Sequence, residues 1–166
     1  FWLADGQKSH IKQAVHVFQS SNSKQNDWFR GVLDRLGWHY KISRDKERLI
    51  YRIYKEGLAD RLRPFISGES GARTLALTDE VKSWSIPQKA ALIEGHKRGD
   101  GYGNVHSFDS RPLMDDMQAL MVETGKQTFI KHTMKPGDDN GFGQAATRDS
   151  WRIHTINNKR KVYSTE

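Results

Sequence analysis

Two aspartate–glycine pairs, Asp5-Gly6 and Asp100-Gly101, are the residues whose type and context could carry chemistry. Each pair ends a helix candidate that is apolar or contains glycine, and each begins a strand candidate. Two carboxylates brought side by side repel each other unless a cation lies between them. Divalent metals activate water and stabilise a leaving oxygen. A single Asp-Gly pair is typical of a helix-to-turn connection, so it is the repetition in matching contexts that favours metal-dependent chemistry.

The composition bounds the class of protein. The 166 residues, 36% hydrophobic and 28% charged, indicate a globular chain of one domain or two small halves. Lys and Arg number 27 against 20 Asp and Glu, and the net charge of +7 favours a polyanionic partner if one face collects it. The absence of cysteine excludes disulfides and cysteine-based zinc sites, and we expect a reducing, cytoplasmic compartment. No apolar run approaches the ~20 residues of a membrane span, so we expect no membrane partner.

The elements that would position the two Asp-Gly pairs recur along the chain. Two segments, 23–37 and 111–125, have apolar residues at helical spacing and end in Gly37 and Gly125, which are natural helix stops. Each is followed by residues that alternate as two strands do. The strand candidates occupy 38–57 in the first half, with a turn at Arg44 to Glu47, and 126–134 with 149–157 in the second.

Further elements lie between these segments. Residues 57–66 predict a short helix, 67–85 a linking or wrapping segment, and 86–101 a helix that Pro87 is well placed to start. The order therefore predicts an α+β fold built twice, with an antiparallel sheet in each half and helices on one side. We expect one domain made of two pseudo-repeats, about 1–83 and 84–166.

Three segments resemble a known family. AALIEGHKRGDGY resembles the second LAGLIDADG motif of a single-chain homing endonuclease, FWLADG resembles the end of the first, and VFQSSNSKQNDWFRGVLDRLG is similar to the helix after that family's first β-hairpin. The likeness covers nearly the whole chain and rests on the order of features. It differs from the family in two places: only five residues precede Gly6, and His96, Lys97 and Arg98 replace largely apolar positions. We expect those three side chains to face solvent.

The resemblance implies two pseudo-symmetric αββαββα halves, whose sheets form a DNA-binding saddle around a central pair of motif helices. It implies that Asp5 and Asp100 converge to hold metal, with Ala4 and Gly99 beside them in the metal site. Small residues there, Gly95 included, let the helices approach closely. The implied cofactor is Mg2+, two or more ions, with Mn2+ or Ca2+ able to replace it in binding.

The resemblance also suggests helper residues. A lysine at the end of a strand before a helix assists catalysis in this family; Lys55 occupies that place in the first half and Lys159 in the second. A polar residue at the hairpin exit holds water, and Asn22 or Ser110 fits by position. The alternative is structural: solvated strand ends for the two lysines, and turn or capping positions for the other two.

The sheets would read the DNA, because an antiparallel ribbon fits the major groove with alternate side chains facing the bases. An ordinary solvated strand face is the alternative for each residue. The candidate contacts are Lys8, His10, Lys12, Gln13, Lys41, Ser43, Arg44, Arg48 and Arg52 in the first half, and Lys126, Lys131, His132 and Arg152 in the second.

These features predict a site-specific endonuclease that acts on a long asymmetric double-stranded DNA target. We expect a monomer encoded within an intein or intron, FWLADG being more like the intein-borne branch, with a flanking splicing domain or a further N-terminal segment as candidate partners. Two other classes remain open: a non-cleaving or maturase-like nucleic-acid binder on the same scaffold, and an interaction domain without nucleic acid. Basic residues gathered on one face favour DNA, and an even spread favours the interaction domain.

Overall fold

The computed structural model describes residues 6–8, 14–62, 75–139, 143–147 and 149–156, with the backbone alone for Gly6–Lys8. Within these ranges, every helix is too short or too polar to span a bilayer.

The first sheet contains four antiparallel strands: β1 Gly6–Lys8, β2 Ala14–Ser20, β3 His39–Asp45 and β4 Arg48–Tyr54. Their order is β1-β2-β4-β3. A tight turn joins β3 to β4, and Lys46 adopts a left-handed backbone there with φ of 53°. The alternation of the sequence therefore predicted both strands and the turn.

The second sheet repeats this arrangement. Its strands are β5 Gly101–Tyr102, β6 Val105–Phe108, β7 Gln127–Met134 and β8 Ser150–Ile156, in the order β5-β6-β8-β7. The two predicted strands of the second half are confirmed as β7 and β8. The β5–β6 hairpin turns at Gly103, whose φ is 58°.

Five helices are described: α1 Gln25–Arg35, α2 Leu58–Leu62, α3 Asp79–Lys82, α4 Ile86–Asp100 and α5 Arg111–Glu123. The helices predicted at 23–37, 57–66, 86–101 and 111–125 each have a counterpart among them, whereas the helix predicted to end at Asp5 lies outside the described residues. Gly37 and Gly125 follow α1 and α5 with φ of 62° and 80°, as C-terminal stops do. Ser85 and Gln88 form a capping box at the start of α4, where Pro87 also lies.

The helices cover one face of each sheet. Phe29 and Leu33 of α1 pack on Val17, Tyr51 and Ile53 of the first sheet. In the second half, the apolar face of α5 packs with α4 and the strands; the buried residues are Ile93, Phe108, Leu113, Met114, Met117, Leu120, Met121 and Ile153. Because side chains alternate along a strand, the other face of each sheet carries a different set. We call the face opposite the helices the open face. Its side chains include Lys41, Ser43, Arg48 and Arg52 in the first sheet and Phe129, Lys131, Arg152 and His154 in the second.

The described part of the linking segment belongs to the second core. Leu75, Leu77 and Val81 are buried against α5. The Leu77 amide donates to Asp116 of α5 at 2.8 Å, and Lys82 forms an ion pair with the same carboxylate. The α+β prediction with two antiparallel sheets is thus confirmed, while this segment contributes more to the core than a linker would.

His96 of α4 and His106 of β6 form a buried pair between helix and sheet. Their Nδ1 atoms are 3.4 Å apart, and the His96 ring stacks on Phe108 with centroids 4.5 Å apart. One ring must donate and the other accept, so at least one is neutral. Burial lowers the pKa of His96 to about 3 and that of His106 to about 4, with Lys97 and Lys126 contributing to the second shift. The expectation that His96 faces solvent is therefore wrong.

This pair predicts loss of stability in acid. Both folded-state pKa values lie below the ordinary 6.5, so the stabilisation is fully present above pH 6.5 and is lost as the pH falls towards 4. Each proton bound on unfolding contributes a slope of up to about 1.4 kcal/mol per pH unit. We expect the urea midpoint to fall more steeply between pH 6.5 and 4.5 in the wild type than in a His96→Leu, His106→Leu double variant. Equal slopes would contradict the neutral pair.

Candidate metal site and nucleic-acid interface

Asp100 lies where a helix passes directly into a sheet. It is the last residue of α4, and Gly101 begins β5 with φ of −110° and ψ of 150°. A Cβ on Gly101 would overlap the backbone carbonyl oxygen and Cα of Lys97, one helical turn earlier. Glycine is therefore required for the abrupt change of direction that places the Asp100 carboxylate at the sheet edge.

A second carboxylate acts on Asp100. Asp109 follows β6 at its exit, and its negative charge adds to desolvation in raising the pKa of Asp100 to about 6. Asp100 nevertheless remains exposed to solvent. A divalent cation bound here would favour the ionised form of Asp100, because its positive charge would offset the negative charge of Asp109. These oxygen donors fit a hard cation that keeps water and shares phosphate oxygens.

The two sheets can be aligned on their glycines. Gly6 pairs with Val17 in the first sheet, and Gly101 pairs with His106 in the second. Three residues further along each strand, Ser20 occupies in the first half the place that Asp109 occupies in the second. Sequence reasoning missed Asp109, although its position just after a strand and nine residues after Asp100 could have indicated it.

Within the described residues, three or more histidine, aspartate or glutamate side chains nowhere cluster as metal ligands. Gly99 lies in the last turn of α4, next to Asp100. Several predicted site residues lie outside the described ranges, and these are Ala4, Asp5, His10, Lys12, Gln13 and Lys159. Lys8 is described by its backbone alone.

The hairpin-exit candidates have structural roles or surface positions. Ser110 is buried, donates to the Leu75 carbonyl at 2.6 Å and accepts from the Leu113 amide as the cap of α5. Its hydroxyl is therefore engaged in structural hydrogen bonds where β6 meets α5. Asn22 is an exposed turn residue between β2 and α1, and it remains a candidate by position.

Lys55 lies away from the level of the first Asp-Gly pair. Gly6, Val17 and Tyr51 share one level of the first sheet. Lys55 is four residues beyond Tyr51, about 13 Å along the strand at ~3.3 Å per residue. Its surroundings form a cleft of about 310 Å3 against α3, lined in part by Trp38 and Trp84.

The open faces gather basic residues. Lys41 pairs directly with Arg52 in the first sheet, and Lys131 pairs with Arg152 in the second. Ser43 and Arg48 share the open face of the first sheet with Lys41, since they follow the same alternation. The only acidic residue on either open face within the described strands is Asp45, which lies opposite Arg48 in the register of β3 and β4.

Three predicted DNA contacts occupy the helix-covered side. Arg44 lies opposite Leu49 on that face, and its Nε donates to the Lys46 carbonyl at 3.1 Å. His132 lies opposite Trp151, stacks on it and contacts Asp149 at 2.8 Å. Lys126 stands one residue before β7, where its charge acts on the buried His106.

Arg98 joins the two halves beside the site. Its guanidinium lies 4.6 Å from the ring centroid of Trp28 in α1, and Nη1 donates to Gln25 at 3.3 Å. Its other terminal nitrogen forms an ion pair with Glu94 in the same helix at 2.8 Å. Arg98 thus binds α4 to the first half only two residues before Asp100, and the expectation that it faces solvent is wrong.

Comparison with solved structures identifies the fold. The crystal structure of I-DmoI in complex with DNA and Ca is similar, with a TM-score of 0.58 and 12% identity over 93% of this chain and 78% of that one. An I-DmoI variant solved with its target DNA and Mg gives a TM-score of 0.57 and 13% identity over 93% and 84%. The chain has the fold of a LAGLIDADG homing endonuclease. The sequence matches no family model and no curated protein.

The junction of α4 and β5 predicts that a side chain at Gly101 destabilises the protein. We expect Gly101→Ala to destabilise the protein by about 1–3 kcal/mol, because the added methyl overlaps backbone rather than a movable side chain. Gly31→Ala is the matched control, since a Cβ there meets nothing within 4 Å. That helical change should be neutral or stabilise by up to about 1 kcal/mol. Thermal melts of both variants check this, and similar shifts in the two would contradict the steric constraint.

The contact between halves predicts an unequal effect of two arginines. Arg98→Ala removes the Trp28 stacking together with the contacts to Gln25 and Glu94, and we expect a loss of about 1–2 kcal/mol. Arg111→Ala removes an exposed pair with Asp115 within one helix, which contributes only about 0.3–0.5 kcal/mol. Urea unfolding of both variants measures the difference. Equal losses would show that Arg98 does not join the halves.

Proposed function

We propose that this chain binds double-stranded DNA and cuts it with divalent metal at a long asymmetric target, as part of intein or intron homing. The observation that carries the proposal is the distribution of unpaired basic residues. Lys41, Arg48, Arg52, Lys131 and Arg152 lie on the open faces, and none forms an ion pair with a described residue. On the helix side, six ion pairs neutralise Lys or Arg.

This separation argues against an interaction domain without nucleic acid. A basic domain whose charges are scattered would pair them with acids on every surface. Here the open faces carry five Lys or Arg residues and, within the described strands, the single acidic residue Asp45, and the basic residues sit at the spacing of alternate strand residues. Phosphate contacts of this kind supply affinity, and contacts to base edges supply specificity.

The chemistry would take place at the end of α4. Bound divalent metal would polarise the scissile phosphate and lower the pKa of a bound water. Asp100 would hold that metal by its carboxylate, with Gly99 beside it in the metal site and Gly101 permitting the abrupt turn that follows. Asp109 would accept a hydrogen bond from attacking water or supply a second oxygen ligand. In the first half, Asp5 is the proposed counterpart of Asp100, and Asn22 remains the candidate for holding water.

Fold likeness to I-DmoI, whose structures were solved in complex with DNA and Ca, Mn or Mg, supports the proposal. We therefore propose Mg2+ as the cofactor, with Mn2+ or Ca2+ supporting binding. A monomer suffices, because both sheets come from one chain. We place it in the cytoplasm or wherever the host DNA lies.

Selection and cleavage test the proposal. A randomised duplex library is first enriched for binding in Ca2+, and the enriched duplexes are then incubated with Mg2+. Loss of a residue that only supports a metal ligand costs 10- to 100-fold, so we expect Asp100→Asn to lower cleavage at least about 100-fold while the duplex stays bound. Asp115→Asn, on the exposed side of α5, is the control and should cut normally.

Two outcomes would overturn parts of the proposal. Specific binding without cleavage by the wild type would support the non-cleaving or maturase-like binder instead. Cleavage that survives in Asp100→Asn would remove the proposed metal site, even if DNA binding stands.

A further inference from the structure

Four side chains form a continuous line across the open face of the second sheet. Tyr102 of β5 pairs with Val105 of β6, Val105 with His154 of β8, and His154 with Phe129 of β7. Directly opposed residues in antiparallel strands point to the same face. We call these four positions the aromatic row, because three of the four side chains carry rings. The row lies one residue beyond Gly101 along β5, and we call this direction, away from Asp100, outward.

Two aromatic side chains of the row are unusually exposed to solvent for large hydrophobic residues. Tyr102 is 90% exposed and Phe129 is 49% exposed. The Phe129 ring lies nearly parallel to His154, with 4.7 Å between centroids and 7° between planes. This stacking orients the Phe129 and His154 rings against each other, so they form a preformed flat surface at one end of the row.

The matching level of the first sheet carries basic side chains instead of aromatic ones. When the sheets are aligned on Gly6 and Gly101, the position one residue outward in β2 is His16. His16 lies opposite Arg52 of β4, and Arg52 lies opposite Lys41 of β3. The first half therefore places a basic pair where the second half places Phe129 and His154. The two halves cannot recognise the same chemistry at the same distance from the Asp-Gly pairs.

Residues on either side of the aromatic row indicate what covers it. One row inward on the open face, Lys131 and Arg152 form a basic pair. One row outward, Gln127 lies opposite Ile156, which is 44% exposed. A protein partner would have to bury the unpaired cations, whereas a DNA major groove supplies phosphates for them. The groove also supplies thymine methyl groups for apolar side chains.

We infer that the aromatic row and the neighbouring Ile156 select A·T base pairs in the half-site that the second sheet contacts. Phe129, Tyr102 and Ile156 would contact thymine methyl groups. At about 4.8 Å between strands the row spans roughly 14 Å, enough to meet more than one base pair. This inference rests on the proposed DNA binding and names the specificity of one half.

Binding selection with matched variants tests the inference. The wild type, Phe129→Ala and Lys41→Ala each enrich duplexes from a randomised library in Ca2+. Phe129 and Lys41 occupy equivalent positions in the two sheets, so each variant marks the half-site of its own sheet. We expect Phe129→Ala to lose A·T preference in one half-site and Lys41→Ala to change the other. Tyr102→Ala, at a highly exposed position, repeats the first result without risk to folding.

Removing only the thymine methyl gives the sharper measurement. Deoxyuridine replaces thymine in the half-site marked by Phe129, then in the other half-site as a control. We expect wild-type affinity to fall about fourfold for each contacted methyl, with no comparable fall in the control half-site. Phe129→Ala should lose the share of this sensitivity that its own contact supplies, so its affinity should fall about fourfold less than that of the wild type for the same replacement.

Each remaining outcome overturns the inference in a distinguishable way. A wild type that binds a specific duplex but tolerates deoxyuridine in both half-sites would sink the inference and leave DNA binding intact. Self-association in sedimentation that Phe129→Ala abolishes would make the row a protein interface. Failure to bind any duplex would overturn the proposed function together with the inference.

Discussion

The direct passage from α4 into β5 is the constraint on which the site depends. No loop separates Asp100 from β5, because β5 begins at Gly101 directly after the helix. A Cβ on Gly101 would overlap the Lys97 carbonyl in this conformation. The carboxylate therefore inherits its position from both the helix and the sheet. The buried His96–His106 pair fastens the same helix to the next strand. Helix packing and sheet register thus fix one acidic group rather precisely, without any contribution from flexible loops.

Much of the fold was predictable because its signals are local. Alternation identified the long strands, and helical spacing with glycine stops identified α1 and α5. The side of the sheet that each strand residue faces was harder to predict. Ser43 and Arg44 are adjacent in β3 and therefore face opposite sides, and His132 lies beside a register shift in β7. The expectation for His96 failed because a polar residue's burial depends on its partner, here a histidine ten residues away. No local pattern reveals such a pairing.

The candidate site was predictable only in part. Asp100 was found because its Asp-Gly pair recurs, whereas Asp109 has no repeated counterpart, the matching residue being Ser20. The alignment of the sheets on Gly6 and Gly101 shows that the halves share topology but differ in chemistry. The first presents Lys41 and Arg52 where the second presents Phe129 and His154. A single chain can hold such differences, since the open face of each sheet can change its side chains while the buried core of each half preserves the geometry.

Metal occupancy at Asp100 tests the central claim most directly. Electron paramagnetic resonance can count Mn2+ bound to the complex of this protein with its selected duplex, for the wild type, Asp100→Asn and the Asp115→Asn control. The account predicts that Asp100→Asn loses bound Mn2+ while keeping the duplex, and that Asp115→Asn retains the metal. Undiminished Mn2+ in the Asp100→Asn complex would contradict the account, because the end of α4 would then not be where the metal is held.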